Sequence, residues 1–560
     1  MVRDNTIPAV FFQRVRELGL RTALRKKEFG IWQDISWVDY GRNVRLTALG
    51  LIRLGLNPGE HVSVIGENRP EWLYADLGTM AAGGITVGIY ATCSAEECRY
   101  ILDHSGSRFF IVENEEQLDK VLEVRGRLPD LKKIIVIDMD GLKKFKDRQV
   151  MSFEQLLRLG AILSEKDPQL VEKRLEEIDP ASPALLIYTS GTTGPPKGAM
   201  LSHSNIMWTV NALTNSVELN DRDELLSFLP LSHIAERMFS VFIPLRAGYT
   251  LNFIENVDTI AQNMVEISPT VFFAVPRIWE KYYSTIFIKM KDAGWFKKLV
   301  LGLSLKTGAR FTPERLAGTV TGYLRRFVLF LVHFLVFRKL KKRLGFDRIR
   351  LAVSGAAPIS PDVLKFYHSI GIPLRQVYGQ TEGSGPTAMH QHGVIEAENV
   401  GPPIPGVEVK IAEDGEILVR GGNVFLGYYK DAPATAETLA DGWLHSGDVG
   451  ELDERGFLKI TDRKKDLIIT SGGKNIAPQY IENQLKFSPY IHDAVVIGDE
   501  AAAYMSIRIG LKYRIFPSNP MMNSPVVILE AGQRASMTGF KAGINRSVPR
   551  LIQAMSRGAT

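Results

Sequence analysis

Ala184-Leu185-Leu186-Ile187-Tyr188-Thr189-Ser190-Gly191-Thr192-Thr193-Gly194-Pro195-Pro196-Lys197-Gly198 reads as an apolar strand that empties into a polar, glycine-rich loop. The hydroxyls of Thr189, Ser190, Thr192 and Thr193 offer donors to anionic oxygens. Gly191 and Gly194 let backbone N–H groups approach a ligand with no Cβ in the way. Lys197 adds a positive charge, and the whole pattern points to a phosphate cradle. The spacing is not that of the P-loop of kinase-like and GTPase-like proteins. Gly-x-x-x-x-Gly-Lys-Ser/Thr needs a glycine directly before the lysine, where this chain has Pro196.

The chain around this loop has 560 residues, 45% hydrophobic and 23% charged, an ordinary globular composition with room for several structural units. A net charge of +6 is small for this length and gives no argument for a nucleic-acid partner. Cys93 and Cys98 are the only cysteines, and their spacing fits neither a zinc pair nor a Cys-x-x-Cys redox motif, so a reducing compartment is expected. Met1-Val2-Arg3-Asp4-Asn5-Thr6 lacks the order of a signal peptide, and a cytoplasmic protein is expected. His390-Gln391-His392 reads as a polar loop rather than a metal site.

Short apolar runs alternate with helical text along most of the chain. Residues 9 to 25 carry apolar pairs and arginines at helical spacing, and Gly30 to Trp37 alternates as a strand, which predicts an N-terminal helix and a short hairpin. His61 to Gly66, Phe109 to Val112 and Ile134 to Ile137 read as strands between helices, a grammar repeated near Leu225, Tyr249, Thr270, Arg350 and Pro373. The expected fold is α/β, with a large domain over residues 1–461 built on two helix-covered, parallel-type sheets. From about residue 401 to 461 short strands and turns predict a β-rich subdomain. Asp462-Arg463-Lys464-Lys465-Asp466 then marks the boundary of a small α+β domain, 462–560.

The loop has companions. Leu229-Pro230-Leu231-Ser232-His233-Ile234-Ala235-Glu236-Arg237, Ser354-Gly355-Ala356-Ala357-Pro358, Gln376-Val377-Tyr378-Gly379-Gln380-Thr381-Glu382 and Asp441-Gly442-Trp443-Leu444-His445-Ser446-Gly447-Asp448 follow in that order. Together they resemble the signatures of adenylate-forming enzymes, the superfamily of acyl-CoA synthetases, luciferases and peptide-synthetase adenylation domains. The resemblance covers roughly residues 10 to 498. Val275-Pro276-Arg277-Ile278-Trp279-Glu280-Lys281 is most similar to long-chain acyl-CoA synthetases. It implies an ATP- and Mg²⁺-dependent ligase that joins a fatty acid to CoA through an acyl-adenylate.

By position, the resemblance makes Lys197, His233, Thr381 and Glu382 catalytic, with Glu382 the Mg²⁺ ligand. It assigns Thr189, Ser190, Gly191, Thr192, Thr193 and Gly194 to the ATP phosphates. Gly355, Ala356, Ala357, Gln376, Tyr378 and Gly379 would meet the nucleotide, and Asp448 and Arg463 the ribose. Asp462 would be the pivot about which the small domain turns between half-reactions.

Two stretches leave alternatives open. Phe327 to Phe337 is apolar except for His333, too short to span a bilayer, and five of the six residues from Arg338 to Arg343 are basic. Residues 325–343 fit either peripheral contact with a membrane or a buried helix with solvated basic ends. Residues 500–560 carry eight Lys and Arg against two Glu, and lack the Pro-x-x-x-x-Gly-Lys-Ile/Val motif that supplies the family's last lysine. Phe540-Lys541-Ala542-Gly543-Ile544 is a faint echo of it. The expectation is an altered gene end and an incomplete small domain. An efficient ligase, a nucleotide- or acyl-binding protein with impaired turnover, and an adenylating enzyme with another acceptor all remain compatible with this text.

Overall fold

The computed structural model describes residues 6–189, 194–316, 322–391, 395–465, 468–469, 475–476, 478, 482, 491–498, 504–511 and 526–532. Two eight-stranded sheets form the bulk of it. The first runs, in spatial order, Val150–Ser152, Lys133–Val136, Phe109–Val112, His61–Ile65, Ile85–Ile89, Pro183–Thr189, Lys197–Ser202 and Gly427–Tyr428. Its first six strands are parallel. His61–Ile65, Ile85–Ile89 and Phe109–Val112 are buried at every position, as parallel strands covered on both faces must be.

The second sheet runs Ile31–Ser36, Thr22–Glu28, Thr250–Phe253, Glu224–Ser227, Val271–Ala274, Leu351–Ser354, Leu374–Gln380 and Gly385–Met389. Thr22–Glu28 through Leu374–Gln380 are parallel, with an antiparallel strand at each edge. A shared relationship positions the site. In each sheet one parallel strand, Pro183–Thr189 or Leu374–Gln380, turns back at its carboxyl end into an antiparallel partner. Those two turns carry the phosphate-loop text and the Thr381-Glu382 text.

The β-rich subdomain is a five-stranded antiparallel sheet made of Glu408–Ile411, Glu416–Arg420, Leu439–Ala440, Trp443–Leu452 and Leu458–Arg463. Beyond it, Ile491–Gly498, Tyr504–Leu511 and Val526–Gly532 pair as an antiparallel sheet. Two stretches of the turn-rich 500–560 text are therefore strands. Lys512 and Lys541 lie outside the described residues.

Three readings change on folding. The N-terminal helix and the hairpin both form, but the helix, Ile7–Leu18, stops short of residue 25, because Gly19 takes φ +52° and Thr22–Glu28 is the hairpin strand paired with Ile31–Ser36. His390 is not a solvated loop residue. It is buried, its Nε2 accepts from the Glu396 N–H at 3.2 Å, and burial lowers its pKa to about 4; His392 lies outside the described residues. Finally, the apolar text around Phe327 is not a buried helix: the Tyr323–Val332 helix has no buried residue.

Candidate functional site

Pro183–Thr189 and Lys197–Ser202 are in register up to the pair Thr189 and Lys197, so the loop between them hangs from the carboxyl end of a central strand. Ser190, Gly191, Thr192 and Thr193 lie outside the described residues. The loop's flanks are held by aromatic side chains. The Tyr188 hydroxyl and His104 Nδ1 are 2.7 Å apart, and the Tyr100 hydroxyl donates to the Pro196 carbonyl at 3.1 Å. Tyr100 and His104 sit on the helix Ala95–Ser105, which is fixed at its start by a reciprocal Ser94–Glu97 capping box. Gly194 takes φ +122°, a backbone state that a Cβ would strain.

The loop's described flanks, Thr189, Pro196 and Lys197, line a cavity of about 980 Å³ together with residues of both sheets and the β-rich subdomain. Thr189, Lys197, His233, Ala356, Gly379, Thr381, Glu382, Asp448 and Arg463 all stand on its wall. Gly194, Gly355, Ala357, Gln376 and Tyr378 do not. Gln376 spends its amide N–H groups on the Ala397 and Asn399 carbonyls, at 3.2 and 3.1 Å. Gly355 is packed so closely that a Cβ there would lie 2.4 Å from Val377 Cγ1, and a Cβ on Gly379 would lie 1.8 Å from the Gly385 carbonyl oxygen. These glycines let the strand ends approach one another behind the wall.

The cavity wall carries Lys197 and Glu382. Tyr428 lies between them: its hydroxyl donates to Glu382 Oε1 at 2.7 Å, and Lys197 Nζ sits 5.3 Å from its ring centroid. Burial and then the Glu382 charge raise the Tyr428 pKa above the usual phenol range, so it stays a hydrogen-bond donor. The sequence reading missed Tyr428. Its only local signal is Gly427-Tyr428-Tyr429 between two turns, and its partner is 46 residues away.

The same wall carries Asp448 and Arg463, register partners on adjacent strands, with Arg463 Nε 3.6 Å from Asp448 Oδ1. The Tyr378 hydroxyl donates to Asp448 Oδ2 at 2.8 Å. Burial raises the Asp448 pKa above the usual carboxylate range, against the opposing pull of Tyr378 and Arg463. Beside them Glu416, also absent from the sequence reading, is a buried carboxylate on the cavity wall. It accepts from Lys464 Nζ and the Gly447 N–H, each at 2.9 Å. Lys464 Nζ also reaches Asp414 at 2.7 Å. Burial pushes the Glu416 pKa up, but these donors and His445 together hold it below its ordinary value.

His233 caps the short helix Ile234–Arg237, its Nδ1 accepting the Ala235 N–H at 3.1 Å. Burial lowers its pKa, so the ring is neutral with its proton on Nε2, a donor for a carboxylate. Behind it a polar core is sealed from water. Arg237 pairs with Asp76, both side chains wholly buried, and its guanidinium lies 4.8 Å from the Trp72 ring. Glu236 accepts from the Ser227 and Ser240 hydroxyls, both at 2.6 Å.

The cavity wall thus offers the Lys197 cation, the hydroxyls of Thr189, Thr381 and Tyr428, the Asp448–Arg463 pair and the neutral His233 imidazole, a set that fits a nucleoside triphosphate and a carboxylate. The AMP-binding enzyme family profile matches residues 11–429. A long-chain-fatty-acid–CoA ligase, ACSBG2 of Xenopus laevis, is 38% identical over 532 residues, covering 91% of this chain and 70% of the relative. The long-chain-fatty-acid–CoA ligase FadD15 of Mycobacterium tuberculosis is 34% identical over 555 residues, covering 99% of this chain and 90% of its own length. The crystal structure of the anthranilate CoA ligase AuaEII with anthranoyl-AMP superposes with a TM-score of 0.73 at 21% identity, covering 90% of this chain and 87% of the other.

Proposed function

The chain belongs to the AMP-binding enzyme family, and from that premise we propose that it is an AMP-forming long-chain fatty acid:CoA ligase using ATP, Mg²⁺ and CoA. The single observation that carries the site reading is the convergence of Lys197, Tyr428, Glu382, Asp448, Arg463 and His233 on one cavity from three separate sheets. The alternative of a binding protein with impaired turnover is not favoured. A named ligase aligns over 99% of this chain, a span that reaches well into residues 500–560.

In the first step a carboxylate oxygen of the fatty acid attacks the α-phosphorus of ATP, and pyrophosphate leaves. A carboxylate is already nucleophilic, so no base is required. The obstacle is the repulsion between two anions, and fixed positive charge and N–H donors lower it. Lys197 and the Thr189 hydroxyl would meet the phosphates, while the Nε2–H of His233 orients the carboxylate. Asp448, accepting on both oxygens, holds the ribose hydroxyls with Arg463. Tyr428 takes Glu382 Oε1 and leaves Oε2 for a hard cation, which fits Mg²⁺, an ion that binds through one or two carboxylates plus phosphate oxygens. When bound, Mg²⁺ supplies charge neutralisation on the phosphates.

In the second step the CoA sulfur attacks the acyl carbonyl, the thiol proton is lost and AMP departs. Residues 462–560 form the small domain in this reading, hinged at Asp462. Asp462 is buried, its carboxylate accepts the Arg463 N–H at 2.7 Å, and Lys464 ties the hinge to Asp414 and Glu416. Peripheral contact with a membrane through residues 325–343 accompanies a substrate that itself partitions into lipid.

Fatty-acid-dependent pyrophosphate exchange, followed by thioester formation across an acyl-chain panel, tests the reading. Exchange and thioester formation that both require a long-chain acid are expected. ATP binding without acyl-adenylate formation would sink it, and a thioester formed on a holo-carrier protein but not on CoA would reassign the acceptor.

A further inference from the structure

The helices Trp295–Leu316 and Tyr323–Val332 hold apolar side chains in solvent. The second reads Tyr-Leu-Arg-Arg-Phe-Val-Leu-Phe-Leu-Val, and none of its ten residues is buried. Of the 21 large hydrophobic side chains exposed among the described residues, 11 lie between Trp295 and Leu335. Single exposed apolar residues need no explanation, but such a concentration marks a contact surface. Trp295, Leu299 and Leu303 recur every fourth residue along one helix. Phe327, Leu331 and Phe334 recur at four and three along the other, so each set forms a stripe. The surface is anchored from behind: Phe337 is buried, and Val332, Val336 and Leu340 pack against the core that holds Trp279 and Tyr367.

The charge around these stripes is one-sided. Residues 295–344 contain twelve Lys and Arg and one Glu, a net of +11 in a chain whose total is +6, so the remainder is net −5. Lys339, Lys342 and Arg343 are exposed, and the Arg338 guanidinium lies 5.6 Å from the Phe334 ring. A second copy of the same face would bring like charge against like charge. An anionic bilayer matches both features, with an apolar interior for the stripes and a negative surface for the cations. No helix among the described residues is long and apolar enough to cross a membrane, which leaves the interfacial arrangement.

Resting on the peripheral contact proposed for residues 325–343, we propose that the Trp295–Leu303 and Leu324–Leu335 faces together form a docking surface for the anionic lipid bilayer. The helices lie in the interface plane, with Trp295, Leu299, Phe327 and Phe334 in the acyl region and the flanking cations among the head groups.

Sedimentation of the full chain with vesicles of phosphatidylcholine, alone or mixed with phosphatidylglycerol, tests this. Binding at least about tenfold tighter to the mixed vesicles, weakened by salt, is expected. The triple variant Leu299→Ser, Phe327→Ser, Phe334→Ser is expected to lose it; its positions are exposed, and an unchanged circular dichroism spectrum reports that it is folded. Failure to bind either vesicle, or equal binding by the triple variant, overturns the proposal. So does a dimer in the absence of lipid that the triple variant abolishes, which would assign the face to a second copy. Vesicle binding is measured without ATP, CoA or fatty acid, so its failure is separate from failure of the ligase reading.

Discussion

The hydroxyl of Tyr428 donates to Glu382 Oε1 at 2.7 Å, and the same ring lies 5.3 Å from Lys197 Nζ. One side chain on an edge strand therefore fixes the spacing between the carboxylate assigned to the metal and the lysine assigned to phosphate. Tyr428→Phe keeps the ring and removes the bond. A hydrogen bond to a charged group contributes about 1.5 kcal/mol, so kcat/KM for pyrophosphate release is expected to fall roughly tenfold. The Mg²⁺ concentration for half-maximal rate is expected to rise while the thermal midpoint stays put. An unaltered Mg²⁺ titration would show that the bond only supports the fold.

Asp448 joins Tyr378 to Arg463 on the cavity wall. Asp448→Ala should weaken ATP binding by roughly 10- to 100-fold in calorimetric titration, as expected for losing hydrogen bonds to a charged acceptor. Tyr378→Phe should cost less, because Arg463 still faces Asp448. Since burial raises the Asp448 pKa, nucleotide affinity is expected to decline on acidification at a higher pH than an ordinary aspartate would dictate. Affinity that is flat with pH would remove Asp448 from the ribose.

Glu236 makes stability depend on pH. Burial raises its pKa from 4.5 to about 7, more than the Ser227 and Ser240 hydroxyls lower it. Because the folded pKa lies above the unfolded one, the folded state binds the proton more tightly. Its contribution is full below pH 4.5 and is lost as pH rises through about 7. The span is at most ~3.5 kcal/mol, from ~1.4 kcal/mol per pKa unit. Glu236→Gln should flatten denaturant-melt stability across that window and exceed the parent above it. A parallel pH profile in both proteins would contradict this.

Arg237 and Asp76 are wholly buried and pair with each other. Arg237→Met would leave the Asp76 carboxyl without its partner in the core, a change that typically costs about 3–5 kcal/mol. The double variant Asp76→Asn, Arg237→Met should recover a good part of that loss. Urea melts of both variants read the difference, and equal destabilisation would mean that the two side chains are not coupled.

Much of the architecture is legible in the text. Continuous apolar runs of four to six residues, such as Phe109-Phe110-Ile111-Val112, have no polar side to show water and so predict strands covered on both faces. Residues 9 to 25 misled because arginines at helical spacing do not exclude a strand, and only the pairing of Thr22–Glu28 with Ile31–Ser36 and Thr250–Phe253 decides between them. At the site, Lys197, Thr381 and Glu382, singled out from their motifs, line the cavity. The partners of the Gln376 amide, the carbonyls at 397 and 399, were not legible because no local pattern announces them.

By itself the sequence determined the order of the signature loops, and with it the family, because glycines, hydroxyls and carboxylates at fixed spacings are local chemistry that a strand end must display. Tertiary structure alone decided which of those groups meet. Tyr428 reaches Glu382 across 46 residues and Tyr378 reaches Asp448 across 70, because separate sheets end on the same cavity. It also decided the fate of Tyr323–Val332. Apolar composition drives a helix out of water only when another surface is there to cover it, and here none of the ten residues is buried.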